Sequence, residues 1–171
     1  YENEWSKEEI NLCATQVAQG AIKYGMVKID SNKKIVFDLN EWLKIDGDSG
    51  PFIQYSAARI NSLCKKLNYS EQSKSTVQWE QLTHKSEASL IQGIMQFHSV
   101  VVQAAENYRP SILCTYLYDL AKRFNFFYHE CSIGQAENQE LKNARLALAF
   151  CTGEVLKKGL SLIGIPTPER M

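Results

Sequence analysis

The sequence predicts an all-α protein, a helical bundle, and three observations lead to this prediction. Apolar residues recur every three or four positions along most of the 171 residues, as in helices with one buried face. Capping residues precede these segments, and glycine, proline and polar clusters separate them. Most of the connections are short, which favours antiparallel neighbours in a bundle. Only one short segment, residues 35–37, has the composition of a strand.

In the first third of the chain, the sequence pattern predicts one long helix and one short helix. The letters SKEE form a capping box in which Ser6 caps the backbone and Glu9 returns to it. Apolar residues at helical spacing then predict a helix over residues 7–26. The break SNKK follows, residues 35–37 are predicted to be extended, and Asp38 is placed to cap a short helix.

The next helix begins after the turn cluster DGDSG. Pro51 suits the first position of a helix, because the N–H that proline lacks would have no intrahelical partner there. Residues 68–80 are polar and unpatterned, which predicts a surface loop. One broad face of the helix is apolar and is predicted to be buried; it comprises Ile53, Ala57, Ile60, Leu63, Cys64 and Leu67.

Three further helices are predicted in the rest of the chain. One begins at Ser86 and continues to Val102, the second covers residues 110–130, and the last covers about residues 136–162. Gly164 follows the last helix. The prolines of the final letters, IPTPERM, cannot continue a helix, so an extended tail is predicted.

Charge is distributed unevenly, although 19 basic and 19 acidic residues give no formal net charge. A neutral total argues against nucleic-acid binding, whose usual signature is a basic domain. Residues 1–20 carry four glutamates and one lysine, a net charge of −3. Residues 51–68 and residues 141–163 each have a net charge of +3. The average therefore hides two basic segments.

The cysteines and the hydropathy predict a soluble, cytoplasmic chain with no membrane partner. Five cysteines at wide spacing, with no CxxC pair, argue against a disulfide framework and against a zinc site. No apolar run approaches the ~18 residues of a membrane span. The N-terminus has no signal-peptide pattern.

A search for catalytic motifs finds none. The sequence lacks the P-loop, GxGxxG, HExxH and GxSxG patterns. His84, His98 and His129 are too scattered to form a metal site. Cys131 and His129 have the side-chain types of a nucleophile and its base, but residues two apart on a helix point to different faces. We therefore predict no catalytic residue and no metal site in this chain.

Aromatic residues beside basic ones indicate a binding surface more strongly. In residues 116–130, YLYDLAKRFNFFYHE, aromatic side chains are interspersed with lysine, arginine and asparagine. Tyr128 lies at the rim of the apolar face near Asn125, which suits stacking and edge recognition of an unpaired base. The alternative is that all these rings pack in the core. The apolar face itself is predicted to be core: Tyr116, Leu120, Phe124 and Phe127.

The helix that contains Pro51 has a comparable edge. Phe52, Ser56 and Arg59 stand at positions i, i+4 and i+7, with Tyr55 beside them. An aromatic ring, a small hydroxyl and a guanidinium aligned in this way suit a base and its phosphate. The alternative is a solvated edge without a ligand.

Three segments together resemble one protein family. They are GAIKYGMVKID…KKIVFDLNEWLKIDGDSGPFIQYSAARINSL (20–63), YLYDLAKRFNFFYHEC (116–131) and ARLALAFCTGEVLKKGLSLIGIPTPERM (144–171). In this order they resemble the C-terminal part of arginyl-tRNA synthetases, across nearly the whole chain. The GxxGPxxQYxxAR pattern and the PERM ending are specific in combination.

The resemblance implies a fragment of a class I aminoacyl-tRNA synthetase. The HIGH and KMSKS-type signatures of the catalytic domain are absent from this chain. Residues 1–45 would be connecting helices that dock on the missing catalytic domain, and residues 46–171 the all-helical anticodon-binding domain. The parent enzyme would attach arginine to tRNA(Arg) with ATP and Mg²⁺ in the missing domain. The fragment itself would hold no cofactor, and its partners would be tRNA(Arg) and the catalytic domain in cis, within a monomer.

The resemblance also assigns contacts to the anticodon. Every arginine codon has G at its middle position, so the reader must bind a central cytosine. Phe52 keeps the stacking face of the tyrosine that many relatives have at its position, but lacks the hydroxyl. The matching residues are Phe52, Ser56, Arg59, Tyr128 and Met171 with its terminal carboxylate; position in the sequence adds Tyr55 and Asn125 as anticodon contacts and Lys65 and Lys66 as phosphate contacts.

Two other interpretations remain open at the level of the sequence. A helical protein-interaction module without RNA binding is favoured by the neutral net charge and the acidic N-terminal helix. An independent enzyme built on Cys131 would show thiol-dependent turnover.

Overall fold

The computed structural model of the chain describes residues 5–69 and 77–171, and its architecture is a helical bundle. Within these two ranges there are seven α-helices, a single 3₁₀ turn at Trp79–Gln81 and no strand, which confirms the all-α fold. The helices are α1 (Lys7–Val27), α2 (Leu39–Trp42), α3 (Gly50–Lys66), α4 (Lys85–Met95), α5 (Phe97–Glu106), α6 (Pro110–Glu130) and α7 (Gln139–Leu162).

The first three helices begin at capping residues. Ser6 and Glu9 form the predicted capping box: the Ser6 hydroxyl accepts from the Glu9 amide at 3.2 Å, and the Glu9 carboxylate accepts from the Ser6 amide at 2.8 Å. Asp38 caps α2 as predicted, because its carboxylate accepts from two amides of the first turn. Ser49 caps α3, so Pro51 occupies the second helical position and not the first.

Residues 35–37 form no strand, contrary to the strand-like composition of this segment. They pair with no other segment of the described chain. A strand needs a neighbour that satisfies its backbone hydrogen bonds. The ring of Phe37 instead packs edge-on against the buried ring of Trp42 in α2, with 4.7 Å between the ring centroids.

The prediction of a single helix over residues 86–102 is wrong in two respects. It begins earlier, with His84 as its N-cap, and it is divided at Gln96 into α4 and α5. The bend has its cause in α6, because the hydroxyl of buried Tyr116 donates to the Gly93 carbonyl at 2.9 Å. A side chain that enters the backbone hydrogen-bond ladder bends a helix.

The loop predicted over residues 68–80 includes residues 70–76, which lie outside the described residues. Helix α7 begins at Gln139, later than predicted, because the side chain of Asn138 accepts from the Leu141 amide at 2.7 Å and caps the helix there.

The core lies between α3, α4, α6 and α7. The predicted apolar face of α6 is buried, and Phe124 and Phe127 are fully enclosed. Ile53 of α3 and Leu156 of α7 belong to the same cluster. Tyr128, the neighbour of Phe127, is 39% exposed. Adjacent residues on a helix point about 100° apart, so the aromatic run divides into core rings and a surface ring.

Helix α1 packs directly on the backbone of α3. A Cβ atom at Gly50 would lie 2.2 Å from the Gly20 carbonyl oxygen, so the two helices approach this closely only with glycine at the crossing. Tyr24 of α1 is buried in the core, and its hydroxyl donates to the Asp48 carboxylate at 2.6 Å. The N-terminal helix is thereby fixed to the start of α3.

The C-terminal tail has no helix, as predicted, and is fastened to α1 and α3. Gly164 has a φ of 70°, which turns the chain out of α7. Lys23 of α1 donates to the Gly164 carbonyl. Gln54 of α3 donates to the Pro166 carbonyl at 2.7 Å. The tail therefore follows a defined path to Met171.

A buried ion pair connects α4 to α7. The Nε atom of Arg145 lies 2.7 Å from a carboxylate oxygen of Glu87, and both side chains are largely enclosed. The other Glu87 oxygen accepts from the His84 amide at 2.8 Å. Arg145 also donates to the Ser132 carbonyl at 2.9 Å. One carboxylate thus completes the cap of α4 and holds α7.

Removal of the Glu87 carboxylate is expected to destabilise the fold. Glu87→Ala leaves the Arg145 guanidinium enclosed without its partner, and breaking a buried pair from one side costs about 3 kcal/mol of unfolding free energy. Glu41→Ala is the matched control, because Glu41 and Lys44 form an exposed pair worth at most about 1 kcal/mol. Urea unfolding measures both variants; equal losses would contradict the structural role of the buried pair.

Candidate nucleic-acid interface

Several predicted site residues surround one open depression of about 310 Å³. It lies between α3, the last turns of α6 and the end of the tail. We call it the α3–α6 depression. Segments far apart in the sequence meet here, and the predicted residues among those that line it are Tyr55, Arg59, Lys66, Tyr128 and Met171.

Arg59 is held between two tyrosine rings. Its Cζ atom lies 4.8 Å from the ring centroid of Tyr55 and 5.5 Å from that of Tyr128. Its Nη2 atom also donates to the Tyr55 hydroxyl at 3.0 Å. Within the described part of the chain, no carboxylate forms an ion pair with Arg59. The structure therefore presents an oriented, unneutralised cation with aromatic faces on two sides.

A chain of hydrogen bonds under the surface orients Arg59. Its Nη1 atom donates to the Asn125 side-chain oxygen at 3.0 Å. The Asn125 Nδ2 atom donates to the Ser56 hydroxyl and to the Ala121 carbonyl, both at 3.0 Å. The Ser56 hydroxyl in turn donates to the Phe52 carbonyl at 3.0 Å. Two polar residues thus support the guanidinium.

The positions of Ser56 and Asn125 differ from the sequence prediction. Ser56 was expected to contact the anticodon, but it is completely buried, so its hydroxyl has no surface from which to reach a ligand in this structure. Asn125 has its carboxamide engaged on both sides. Residues at positions i, i+4 and i+7 of a helix lie on the same side only approximately, so their exposure can differ. Helix α6 covers the part of α3 that contains Ser56. Both residues act by positioning Arg59.

Phe52 lies outside the lining of the depression. Its ring is half-buried and packs edge-on against Tyr118, with 5.5 Å between the centroids. The ammonium of Lys122 lies 5.3 Å from the centroid of Tyr118. Tyr118 and Lys122 were not among the predicted site residues. Their signal was an aromatic and a cation at i, i+4 on α6, but only the structure shows that they face Phe52.

The two predicted phosphate contacts point in different directions. Lys66 lines the α3–α6 depression. Lys65 turns to the tail and pairs with the Glu169 carboxylate at 2.9 Å, so its charge is already compensated. Adjacent helical residues are about 100° apart, which places them on separate surfaces. The structure supports Lys66, and not Lys65, as a cation available to a phosphate at the depression.

The depression is cationic. Arg59 and Lys66 are the charged side chains that line it, and among the described residues no aspartate or glutamate lines it. Met171 lies in the same lining. Donors for phosphate and base oxygens are therefore available at this surface.

The residues considered for catalysis do not form a catalytic site. Cys131 is buried and its sulfur lies 3.2 Å from the Ser86 hydroxyl, whereas His129 is exposed and contacts Glu130. Burial raises the pKa of the Cys64 thiol to about 11 and that of Cys114 to about 12. In residues 5–69 and 77–171, no three His, Cys, Asp or Glu side chains are grouped as metal ligands. The helices of the same ranges include none long and apolar enough to cross a membrane.

These features define a helical domain equipped to hold an unpaired base and its phosphate. The sequence pattern of the DALR anticodon binding domain family matches residues 53–171, and the chain belongs to this family. The match begins at Ile53, in the first turn of α3, continues to Met171 and so includes every residue that lines the α3–α6 depression.

Proteins similar to this chain are arginine–tRNA ligases. It is 54% identical over 171 residues to the enzyme of Bdellovibrio bacteriovorus and 41% identical over 172 residues to that of Phocaeicola vulgatus. These matches cover 100% and 97% of the chain but 29% and 28% of the two ligases. The chain thus spans less than a third of the length of these relatives.

Solved structures of the same class have the same fold. Thermus thermophilus arginyl-tRNA synthetase matches 99% of this chain with a TM-score of 0.89 and 31% identity. The Plasmodium falciparum enzyme matches 95% with a TM-score of 0.79 and 28% identity. The chain covers 29% and 28% of those two proteins.

The hydrogen-bond chain under Arg59 is expected to stabilise the domain. Asn125→Ala removes the acceptor of the Arg59 Nη1 atom and the donor to the buried Ser56 hydroxyl, which is expected to cost about 2 kcal/mol of unfolding free energy. Asn107→Ala removes an exposed amide that donates only to the Gln103 carbonyl, and we expect a loss below about 0.5 kcal/mol. Thermal unfolding measures the stability of both variants. If Asn125→Ala were as stable as the unmodified chain, the hydrogen bonds of Asn125 would not be needed to hold Arg59.

Proposed function

We propose that this chain is the tRNA-binding part of an arginine–tRNA ligase and that its α3–α6 depression binds the anticodon of tRNA(Arg). The observation that carries the proposal is the Arg59 guanidinium between Tyr55 and Tyr128, without a carboxylate partner among the described residues. The similarity to arginine–tRNA ligases along the whole chain supports it.

The chemistry of the depression suits a splayed-out cytosine. Tyr128 offers a half-exposed ring on which a base can stack. Cytosine has an N4 amino donor beside its O2 and N3 acceptors. Met171 lines the depression and offers a main-chain oxygen as an acceptor for the amino group, and the Arg59 guanidinium is a donor for the opposite edge or for a phosphate. Lys66 adds a second charge for the loop backbone.

Within the whole ligase, this chain contributes tRNA affinity and selectivity. Arginine is joined to the tRNA in the part that this chain lacks, where ATP and Mg²⁺ are bound. Residues 1–45 connect that part to the anticodon-binding domain of residues 46–171. Exposed apolar side chains between α1 and α3 support a docking role, since Val36 is 72% and Phe37 is 62% exposed. We propose that the ligase acts as a monomer in the cytoplasm.

The alternative is a helical module that binds protein and not RNA. The same exposed apolar residues and the formal net charge of zero favour it. The two functions differ in their dependence on salt, because RNA binding releases counterions and apolar docking does not.

Tyr128→Ala is expected to weaken binding of an anticodon stem-loop with a central cytosine. Loss of one stacked base contact corresponds to about tenfold in affinity. Tyr108→Ala is the matched control, because Tyr108 is 92% exposed in the turn before α6, at the opposite end of that helix. Fluorescence anisotropy with a labelled stem-loop measures both; equal affinities of the two variants would refute the stacking role.

Lys66→Gln is expected to reduce the salt dependence of the same binding reaction. One lost phosphate contact lowers the slope of log affinity against log salt by about 0.7 for single-stranded RNA. Lys34→Gln removes an equal charge from the loop that Asp30 ties to the first turn of α6, far from Tyr128, and should leave the slope unchanged. Binding that is indifferent to salt in the unmodified chain would favour the protein-interaction module.

A further inference from the structure

A second group of two aromatic rings and a cation lies on the seam between α3 and α6. Phe52 and Tyr118 pack edge-on, with 5.5 Å between the ring centroids, and the Lys122 ammonium lies 5.3 Å from the centroid of Tyr118. Both rings are half-buried, and Lys122 is exposed. We call these three residues the Phe52 cluster. They lie outside the lining of the α3–α6 depression.

The Phe52 cluster repeats the chemistry of the Arg59 site, in which the guanidinium contacts the rings of Tyr55 and Tyr128. In both places one ring comes from α3, the other comes from α6, and a cation lies beside them. Among residues 5–69 and 77–171, no carboxylate forms an ion pair with Lys122. Its charge is therefore available to a phosphate.

We propose that the Phe52 cluster is a second nucleotide subsite, in which Tyr118 stacks on another unpaired base of the same RNA loop and Lys122 binds the adjoining phosphate. This inference rests on the proposed function, because the Arg59 site holds the first base. The contact between Phe52 and the anticodon loop then occurs outside the depression, and Tyr118 and Lys122 join it as binding residues.

The two subsites are separated by a distance that one RNA strand can span. Phe52 contacts Tyr118 and Arg59 contacts Tyr128, so α3 and α6 run in the same direction along the seam. At a rise of about 1.5 Å per residue, the subsites are about 10 Å apart along α3 and about 15 Å apart along α6. Stacked nucleotides follow one another at about 3.4 Å, and splayed ones are further apart. The two bases therefore lie at most about four positions apart in the loop.

The seam is closed between the two subsites. Asn125 of α6 donates to the buried Ser56 hydroxyl of α3 at 3.0 Å, and both residues lie between the Phe52 cluster and the Arg59 site along their helices. The strand would thus cross a packed floor with aromatic rings at each end. Surfaces that bind single strands combine such rings with cations along the backbone, and stacking accepts any base. The second subsite should therefore require a base but not a particular one.

Loops that lack one base at a time test this expectation. The probe is an anticodon stem-loop with a central cytosine, titrated with the 171-residue chain and followed by fluorescence anisotropy. We expect two sensitive positions, the central one and a second one at most about four nucleotides away, and a loss of about tenfold in affinity at each. Exchange of the second base for any other base should leave the affinity nearly unchanged.

Tyr118→Leu is expected to abolish the sensitivity at the second position and to retain it at the central one. Leucine keeps an apolar side chain where Tyr118 packs against the core, but it lacks the aromatic face. The variant should bind the complete loop about tenfold more weakly, and the loop without the second base as well as the unmodified chain does. Tyr128→Ala is the complementary variant, which should lose the sensitivity at the central position alone.

Lys122→Gln tests the phosphate contact without changing a packed ring. It should lower the slope of log affinity against log salt by about 0.7. Lys85→Gln is the matched control, because Lys85 is exposed at the start of α4. Helix α4 packs on the side of α6 that carries Arg123, which donates to Ser89. Arg123 lies about 140° around α6 from Tyr118, so this control should leave the slope unchanged.

The outcomes distinguish the second subsite from the proposed function. If Tyr118→Leu keeps both sensitive positions, or if Lys122→Gln and Lys85→Gln have equal slopes, the second subsite is wrong and the proposed function stands. A uniform weakening of all loops by Tyr118→Leu would reflect a damaged fold and would also contradict a contact to one base. If the unmodified chain does not bind the stem-loop, the proposed function fails, and the second subsite fails with it.

Discussion

The amide of Gln54 is the interaction on which the arrangement of the other parts depends. It is completely buried, and its Nε2 atom donates to the Gln16 carbonyl of α1 at 2.9 Å and to the Pro166 carbonyl of the tail at 2.7 Å. Without it, the carbonyls of Gln16 and Pro166 would each lose a part-buried hydrogen bond worth about 1 kcal/mol. A Cβ atom at Gly20 would lie 2.2 Å from this side chain, so glycine makes the junction possible. One side chain thus joins α1, α3 and the tail.

The binding surface follows from this junction and explains how a chain without net charge can present a cation. The orientation of α3 brings Arg59 against α6, where Tyr128 and Asn125 complete its surroundings. Acidic residues are concentrated elsewhere, and the side chains that line the depression in the described part of the chain include none. Local charge, and not the total, determines whether a polyanion is attracted to a surface. The neutral composition is therefore compatible with RNA binding.

The features that depend on the spacing of residues within one helix could be predicted from the sequence. The features that depend on contacts between distant segments could not. Capping at Ser6, the buried face of α6 and the division between Phe127 and Tyr128 all follow from helical geometry, and the structure confirms them. Ser56 was assigned to a ligand from its position on the stripe of α3 and from the family resemblance, and Lys65 from its position in the sequence. In the structure, Asn125 donates a hydrogen bond to Ser56, and Glu169 forms an ion pair with Lys65; both partners are far away in the sequence. The bend at Gln96 likewise has its cause in another helix.

The tail also connects the depression that is proposed to bind the anticodon with helix α1. Helix α1 belongs by its predicted role to the segment that leads to the catalytic part, yet Tyr24 is packed in the same core as α6. Through Arg170, the first turn of α1 contacts the residue that precedes Met171, which lines the depression. Coupling between two sites is reciprocal in binding free energy. If a ligand that contacts Met171 binds better when Arg170 is paired with Glu9, it must stabilise that pair to the same extent, and occupation of the depression is then coupled to α1 without movement of the bundle.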